Sequence, residues 1–263
     1  MISIKSEREI KGMHESGKLL ASIHEALRTF IKAGKTTFDI DRFVHKMIED
    51  NGGTAAQIGY EGYEFATCCS VNDEMCHGFP TNKKLQDGDL VKVDFCVDLN
   101  GFLSDSCWSY KVGNQKHDVV DTMMKVTQEA LYLGLEKAVV GNRVGDIGAV
   151  MDAHIRPYGY HMSLDFSGHG LGPTIHEDPM VPFTGIEGKG ARLREGMVIT
   201  IEPIVNELSR YTKIESNGWT AKTIDGGLSC QYEHTLAITK DGPLITTIQE
   251  GEVLPFAKNP SKN

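Results

Sequence analysis

The chain has 263 residues, 40% hydrophobic and 24% charged, with a formal net charge of −9 at pH 7. That is the composition of a globular chain long enough to bury a sizeable core, and it excludes the disordered and fibrous classes. The acidic balance disfavours non-specific binding to nucleic acid or anionic membrane, no run of 18 apolar residues is present for a membrane span, and the opening MISIKSEREIKG has no apolar signal core.

In chain order, Ser6-Glu-Arg-Glu9 fits a capping box. Ile10, Met13, Leu20, Ile23, Leu27 and Phe30 follow at helical spacing up to Gly34. A second helix is expected over Thr37 to Asp50, stopped by Gly52-Gly53. Strand-like runs cover Thr67 to Val71, Leu90 to Leu99, Phe102 to Val112, Met197 to Val205, Trp219 to Ile224 and Glu233 to Thr239. Two more helices fit Asp118 to Val139 and Asp146 to Arg156, the last ending before Pro157. The six cysteines form no CxxC pair, which reads as reduced thiols in a cytosolic protein.

The chain repeats itself. GKTTFDID (Gly34 to Asp41) resembles GNRVGDIG (Gly141 to Gly148) at an offset of 107. LQDGDLVKVD (Leu85 to Asp94) resembles LREGMVITIE (Leu193 to Glu202) at an offset of 108. Two stretches with nearly one offset, and no linker between them, predict a single domain over residues 1–263 with two similar halves. A carboxylate ends the matching apolar run in each half.

Asn100-Gly101 between two strand-like runs signals a type I′ hairpin. If those two residues form the loop, Leu99 pairs with Phe102, Cys96 with Asp105 and Asp94 with Cys107. Asp94, Cys96 and Asp105 then share one face. The two aspartates become diagonal neighbours, roughly 7–8 Å apart between backbones. A bulge would change this parity. Asp98 has the same parity but lies by the turn, where solvent is expected.

Two buried carboxylates repel and call for a positive partner or a shared proton. Glu202, between Ile201 and Pro203, and Glu233, at the head of another apolar strand, repeat the oddity. SGHGLGPTIHEDP (Ser167 to Pro179) adds His169 and His176 among three glycines and two prolines, which reads as a loop shaped around a ligand. Two Asp, two Glu and one His suit a pair of divalent transition-metal ions, Zn, Co, Fe or Mn rather than Ca. The natural chemistry of such a pair is hydrolysis by an activated water.

The order Asp94, Asp105, His169, Glu202, Glu233, at intervals of 11, 64, 33 and 31, resembles that of the type I methionine aminopeptidases. The words NDEMCHGFP, DGDLVKVDF, GHGLGPTIHEDP, GMVITIEP, GWT and QYEHT carry the same resemblance from about Ile4 to Leu254. It implies an α/β (α+β) pita-bread fold, a central curved antiparallel sheet flanked by helices, in two pseudo-twofold halves. By the resemblance, Asp94 holds one metal, Asp105 and Glu233 bridge both, and His169 and Glu202 complete the other site. A metal-bridging hydroxide would attack the first peptide bond. Glu202 would handle the proton of the water, and His77 and His176 would hold the scissile amide and the oxyanion. Tyr60, Tyr63, Cys68 and Trp219 match the methionine pocket, and Asn72 and Ser229 match residues near a monovalent cation.

The implied substrates are N-terminal methionine peptides and nascent proteins with a small second residue. A cytoplasmic monomer with transient ribosome contact is the corresponding setting. Ile175, Gln57 and Cys96 depart from the residues frequent in relatives and bear on pocket shape and metal tuning. Prolidases and aminopeptidases P are related but normally carry a large additional N-terminal domain. A binding protein that had lost catalysis would be expected to lose ligands, and here all five are present.

Overall fold

The structure, a computed structural model, describes residues 2–256. The first helix, α1 (Glu7–Phe30), starts at the expected capping box, Ser6 accepting from the Glu9 amide while the Glu9 carboxylate accepts from the Ser6 amide. Its buried face carries Met13, Leu20, Ile23 and Leu27 as the spacing predicts, and also Ser16, Gly17 and His24, which it does not. The polar members are satisfied across the packing interface. Ser16 Oγ donates to the Val97 carbonyl at 3.0 Å, and His24 Nδ1 lies 2.8 Å from the Tyr110 hydroxyl. Helix α2 (Thr37–Asp50) follows, then α3 (Asp118–Lys137) and α4 (Val144–Ile155), the last running into a 3-10 turn over Arg156–Tyr158. No helix among the described residues is long and apolar enough to cross a membrane.

All the paired strands run antiparallel. The Leu90–Leu99 and Phe102–Lys111 strands form the predicted hairpin in the predicted register: Leu99 faces Phe102, Cys96 faces Asp105 and Asp94 faces Cys107. Asn100 and Gly101 both have positive φ, 56° and 82°, as a type I′ turn demands. Asp98 does not simply face solvent; its carboxylate accepts from the Gly101 amide at 2.7 Å and caps the turn. On the other edge of Leu90–Leu99 lie Cys68–Val71 and Thr54–Ala55. Helix α1 packs on the hairpin.

One expected strand and one expected loop are corrected. The Met197 to Val205 run is not one strand: Val198–Ile201 ends before Glu202, and Ile204–Asn206 continues in another sheet after Pro203, which has no N–H to offer a ladder. The segment expected as a histidine loop is mostly strand: Ser167–Gly170 pairs with Glu177–Pro182, and only the residues between form a tip. His169 therefore stands on a strand.

The repeat is a structural repeat. Gly34 and Gly141 both have positive φ, 87° and 98°. The Gly34 amide donates to the Leu85 carbonyl and the Gly141 amide to the Leu193 carbonyl; the Leu85 amide returns to Lys35 and the Leu193 amide to Asn142. Isolated bridges Thr36–Lys84 and Arg143–Arg192 sit at equivalent places. One contiguous apolar cluster draws on both halves, with Leu20 and Phe95 from one side and Leu131, Ile199, Ile201 and Leu236 from the other among its fully buried members.

Candidate metal centre and active site

The halves meet where the hairpin strand Phe102–Lys111 runs beside the chain from Gln231 to Thr235. The Glu233 amide donates to the Cys107 carbonyl at 2.8 Å, Ser106 Oγ donates to the Glu233 carbonyl at 2.7 Å, and Thr235 Oγ1 donates to the Asp105 carbonyl at 2.7 Å. Those bonds hold Asp105 and Glu233 side by side, one from each half. Asp105, His169 and Glu233 are all buried and offer ligand atoms lying within 4.8 Å of one another. His169 Nε2 is 3.7 Å from Asp105 Oδ2 and 3.4 Å from Glu202 Oε1. Asp94 lies at hydrogen-bond range of Asp105, as the hairpin parity requires.

The electrostatics are those of a site built for cations. Burial pushes the Asp94 carboxyl well above its ordinary range, and the neighbouring Asp105 and Glu202 charges push it further. Burial raises Asp105 to about 6, against hydrogen bonds from Cys96, the Ser106 amide and Asp94. Glu202 and Glu233 are raised well above the usual range, by burial first and then by Asp105. Asp105 Oδ1 and Glu233 Oε1 are buried with no hydrogen-bond partner among the described residues. Buried oxygens left unpaired beside like charges are costly unless a cation takes them. The mixed O/N donor set fits divalent transition-metal ions.

The eleven residues singled out from the sequence for metal, catalysis and the methionine pocket line one cavity of about 320 Å³: Tyr60, Tyr63, Cys68, His77, Asp94, Asp105, His169, His176, Glu202, Trp219 and Glu233; Asn72 and Ser229 lie outside it. Gln57, Cys96 and Ile175 line it too. The apolar wall is a set of edge-to-face rings: Tyr63 against Trp219 at 5.0 Å between centroids, and His77 against Phe166 and Trp219 at 5.6 and 6.2 Å. His77 has φ +55°, an uncommon conformation for a side-chain-bearing residue, at the end of the Glu74–Cys76 strand. Burial lowers its pKa to about 4. His176 packs its ring on His169 at 4.3 Å, and its Nδ1 is 2.8 Å from the Tyr60 hydroxyl. Burial, reinforced by His176, lowers His169 to about 3.

Sequence reasoning missed several members. Thr200 Oγ1 accepts from the His169 amide at 3.0 Å and donates to Glu202 Oε1 at 2.9 Å. Gln231 Nε2 donates to the other Glu202 oxygen at 3.3 Å. Both stand two residues before a glutamate, Thr200 before Glu202 and Gln231 before Glu233, so strand alternation was the available signal. Phe166 and Asp165 also line the cavity and had no local signal. The Asn72 carbonyl, where a monovalent cation was expected with Ser229, accepts from the buried Lys92 Nζ and from the Ser229 amide, each at 3.0 Å.

Residues 11–240 match the metallopeptidase family M24. The chain is 39% identical over 242 residues to methionine aminopeptidase 1 of Bacillus subtilis, covering 92% of this chain and 97% of that protein. The crystal structure of methionine aminopeptidase from Rickettsia prowazekii superposes with a TM-score of 0.92 at 34% identity, covering 94% of this chain and all of that one. A prolidase from Pyrococcus furiosus shares the pita-bread fold at a TM-score of 0.75 and 25% identity, but this chain spans only 66% of its length. With its cluster of carboxylates and histidine at the junction of two like halves, the chain belongs to the metallopeptidase family M24 and, within it, to the methionine aminopeptidases.

Proposed function

We propose that the metalloaminopeptidase site of this chain holds two divalent ions, of Co, Mn, Fe or Zn. Asp94, Asp105, His169, Glu202 and Glu233 would be their ligands, with Asp105 and Glu233 shared. The observation that carries the reading is that Asp105 and Glu233, one from each half, each bury an oxygen with no hydrogen-bond partner among the described residues and, with His169, offer ligand atoms within 4.8 Å of one another. When bound, the ions would supply an activated water and polarise the scissile carbonyl.

The side chains then have separable tasks. Glu202 accepts the proton of the attacking water: its carboxylate is oriented by Thr200 and Gln231, and burial raises its proton affinity towards that of an effective base. With the Tyr60 hydroxyl, 2.8 Å away, as donor to His176 Nδ1, the imidazole would carry its proton on Nε2, free to donate to the developing oxyanion. His77, with its pKa lowered to about 4, is neutral at neutral pH and donates a hydrogen bond to the substrate amide without adding charge. Tyr60, Tyr63, Cys68 and Trp219 receive the methionine side chain, with Phe166 on the same wall.

Residues 1–263 form one catalytic domain in this reading, supported by the apolar cluster common to both halves; Met1 and residues 257–263 lie outside the described residues. The six cysteines are free and buried, which suits a reducing cytoplasm. A monovalent cation beside Asn72 and Ser229 would have to share the Asn72 carbonyl with the Lys92 ammonium, which donates to it at 3.0 Å. The test is release of methionine from Met-Ala-Ser by the metal-stripped protein, with each ion added back and with Leu-Ala-Ser and Gly-Pro-Ala alongside. Metal-dependent release of Met and little Leu or Gly is expected. No release with any ion would overturn the reading, and preference for Gly-Pro-Ala would assign the site to proline-specific chemistry instead.

A further inference from the structure

The segment ahead of α1 crosses to the second half. The Lys5 amide donates to the Gly196 carbonyl at 2.7 Å. Lys5 Nζ lies 3.0 Å from Glu177 Oε2, and Ser3 Oγ donates to the same oxygen at 2.5 Å while accepting from Lys5 Nζ. This is not a surface pair: the side chains are only 4% and 14% exposed. Glu177 is the residue after His176 and pairs in the ladder with Gly170, the residue after His169. Its carboxylate also takes a backbone hydrogen bond from Thr174, inside the tip between the two histidines. The tip lies directly on the ion pair. A Cβ at Gly172 would fall 2.6 and 2.8 Å from the two Glu177 oxygens and 2.8 Å from Lys5 Cε.

We infer that Ser3, Lys5 and Glu177 form a strap that positions His176 for the reaction proposed above, with Lys5 as the positioning residue. The inference rests on that reading. Leu171 and Ile175 of the six-residue tip are buried, but Pro173, Thr174 and His176 are exposed, and ordering those exposed residues costs conformational freedom that the bonds to Glu177 offset. Truncating one partner of a buried ion pair leaves the other charge uncompensated. Without Lys5 the Glu177 carboxylate would seek water, and the tip would move with it. His176 would then leave the place where it meets the substrate, although no atom of Lys5 touches the substrate.

The experiment compares the wild-type chain, Lys5→Met, Lys5→Arg and Ser3→Ala, each loaded with Co or Mn. Steady-state hydrolysis of Met-Ala-Ser and hydrogen exchange of the backbone are both measured. For Lys5→Met, kcat is expected to fall about 10- to 100-fold, as misplacement of a catalytic group does, with KM changed less than about two-fold. Exchange should accelerate across residues 170–178 and stay unchanged elsewhere, with or without metal. Lys5→Arg should recover most of both. If Lys5→Met fails to fold, Ser3→Ala carries the test, with a smaller fall in kcat and the same local exchange signature. Unchanged kcat and unchanged exchange overturn the inference, and so does faster exchange spread over the whole molecule in Ser3→Ala. An inactive wild-type chain with every ion would instead overturn the reading on which the inference rests, and the exchange data would still report whether the strap holds the tip.

Discussion

The two halves share a frame and use it differently. In the first, Leu90–Leu99 runs unbroken for ten residues with Asp94 in its middle, paired on one side with Cys68 and on the other with Cys107. In the second, the matching strand stops at Ile201, and Glu202 projects from a break before Pro203. Glu233 likewise stands in a break, just ahead of His234–Thr239. The short aspartates thus come from rigid ladder and the longer glutamates from places where strands leave one sheet for another. The backbone groups freed at those breaks are taken by the other half, as in the bond from the Glu233 amide to Cys107. A symmetric frame can therefore carry an asymmetric site: one half supplies a fixed floor, and the other supplies longer side chains and the histidine hairpin.

The largest effect should come from the asymmetric part. Glu202→Gln is expected to lower kcat on Met-Ala-Ser about 10²- to 10⁴-fold, the range for loss of a general base. The apo protein should keep its thermal midpoint or gain slightly, since one of several crowded buried carboxylates is removed. A large loss of apo stability would mean that Glu202 is chiefly a structural part of the break. The shared frame should respond alike in both halves. Phe95→Ala should cost about 3–5 kcal/mol and Ile199→Ala about 2–5 kcal/mol in urea unfolding, because both are fully buried. A second-half cost near zero would show that only the first half is a packed core.

Metal removal should expose the charge imbalance as a pH dependence. Asp105 has its folded pKa raised to about 6 from an ordinary 3.8. Between those values the folded state binds more protons than the unfolded state. Its contribution is therefore fully present below about pH 4 and lost as pH rises through 6, at a slope approaching about 1.4 kcal/mol per pH unit. Asp105→Asn should remove this component from apo unfolding measured from pH 4 to 7, and Co or Mn should suppress it in the wild-type chain. An identical pH profile for the apo wild type and the variant would contradict it. The smallest effects belong to the equivalent helix starts. Asp39 accepts from the Thr36 amide at 2.9 Å, and Asp146 from the Arg143 amide at 2.7 Å. Alanine at either should cost about 0.3–1.5 kcal/mol in urea unfolding, and alike, because Asp39 also accepts from Thr36 Oγ1 at 2.9 Å and Arg42 at 2.8 Å while Asp146 also holds the Gly188 amide at 2.6 Å. A cost near zero at one of them would show that the two helix starts are not equivalent.

What the sequence determined by itself is whatever depends on near neighbours and on period. Asn100-Gly101 set the turn type, the turn set the register, and the register put Asp94 and Asp105 on one face. The capping box at Ser6 and the repeat offsets located the helix starts and the two halves. The resemblance to methionine aminopeptidases points to five expected metal ligands and two further histidines, and every one of them lines the cavity. Tertiary structure decided the rest, because it turned on partners far away in the chain. His24 is buried in α1 because Tyr110 and the Ser106 carbonyl, more than 80 residues on, satisfy it. The glycine-rich histidine segment becomes a hairpin because Val198–Ile201 gives it an edge to join. Lys5 is buried because Glu177, 172 residues later, takes its charge. Buried polar groups and strand edges are settled only when the distant group that satisfies them arrives, and no local pattern records that arrival.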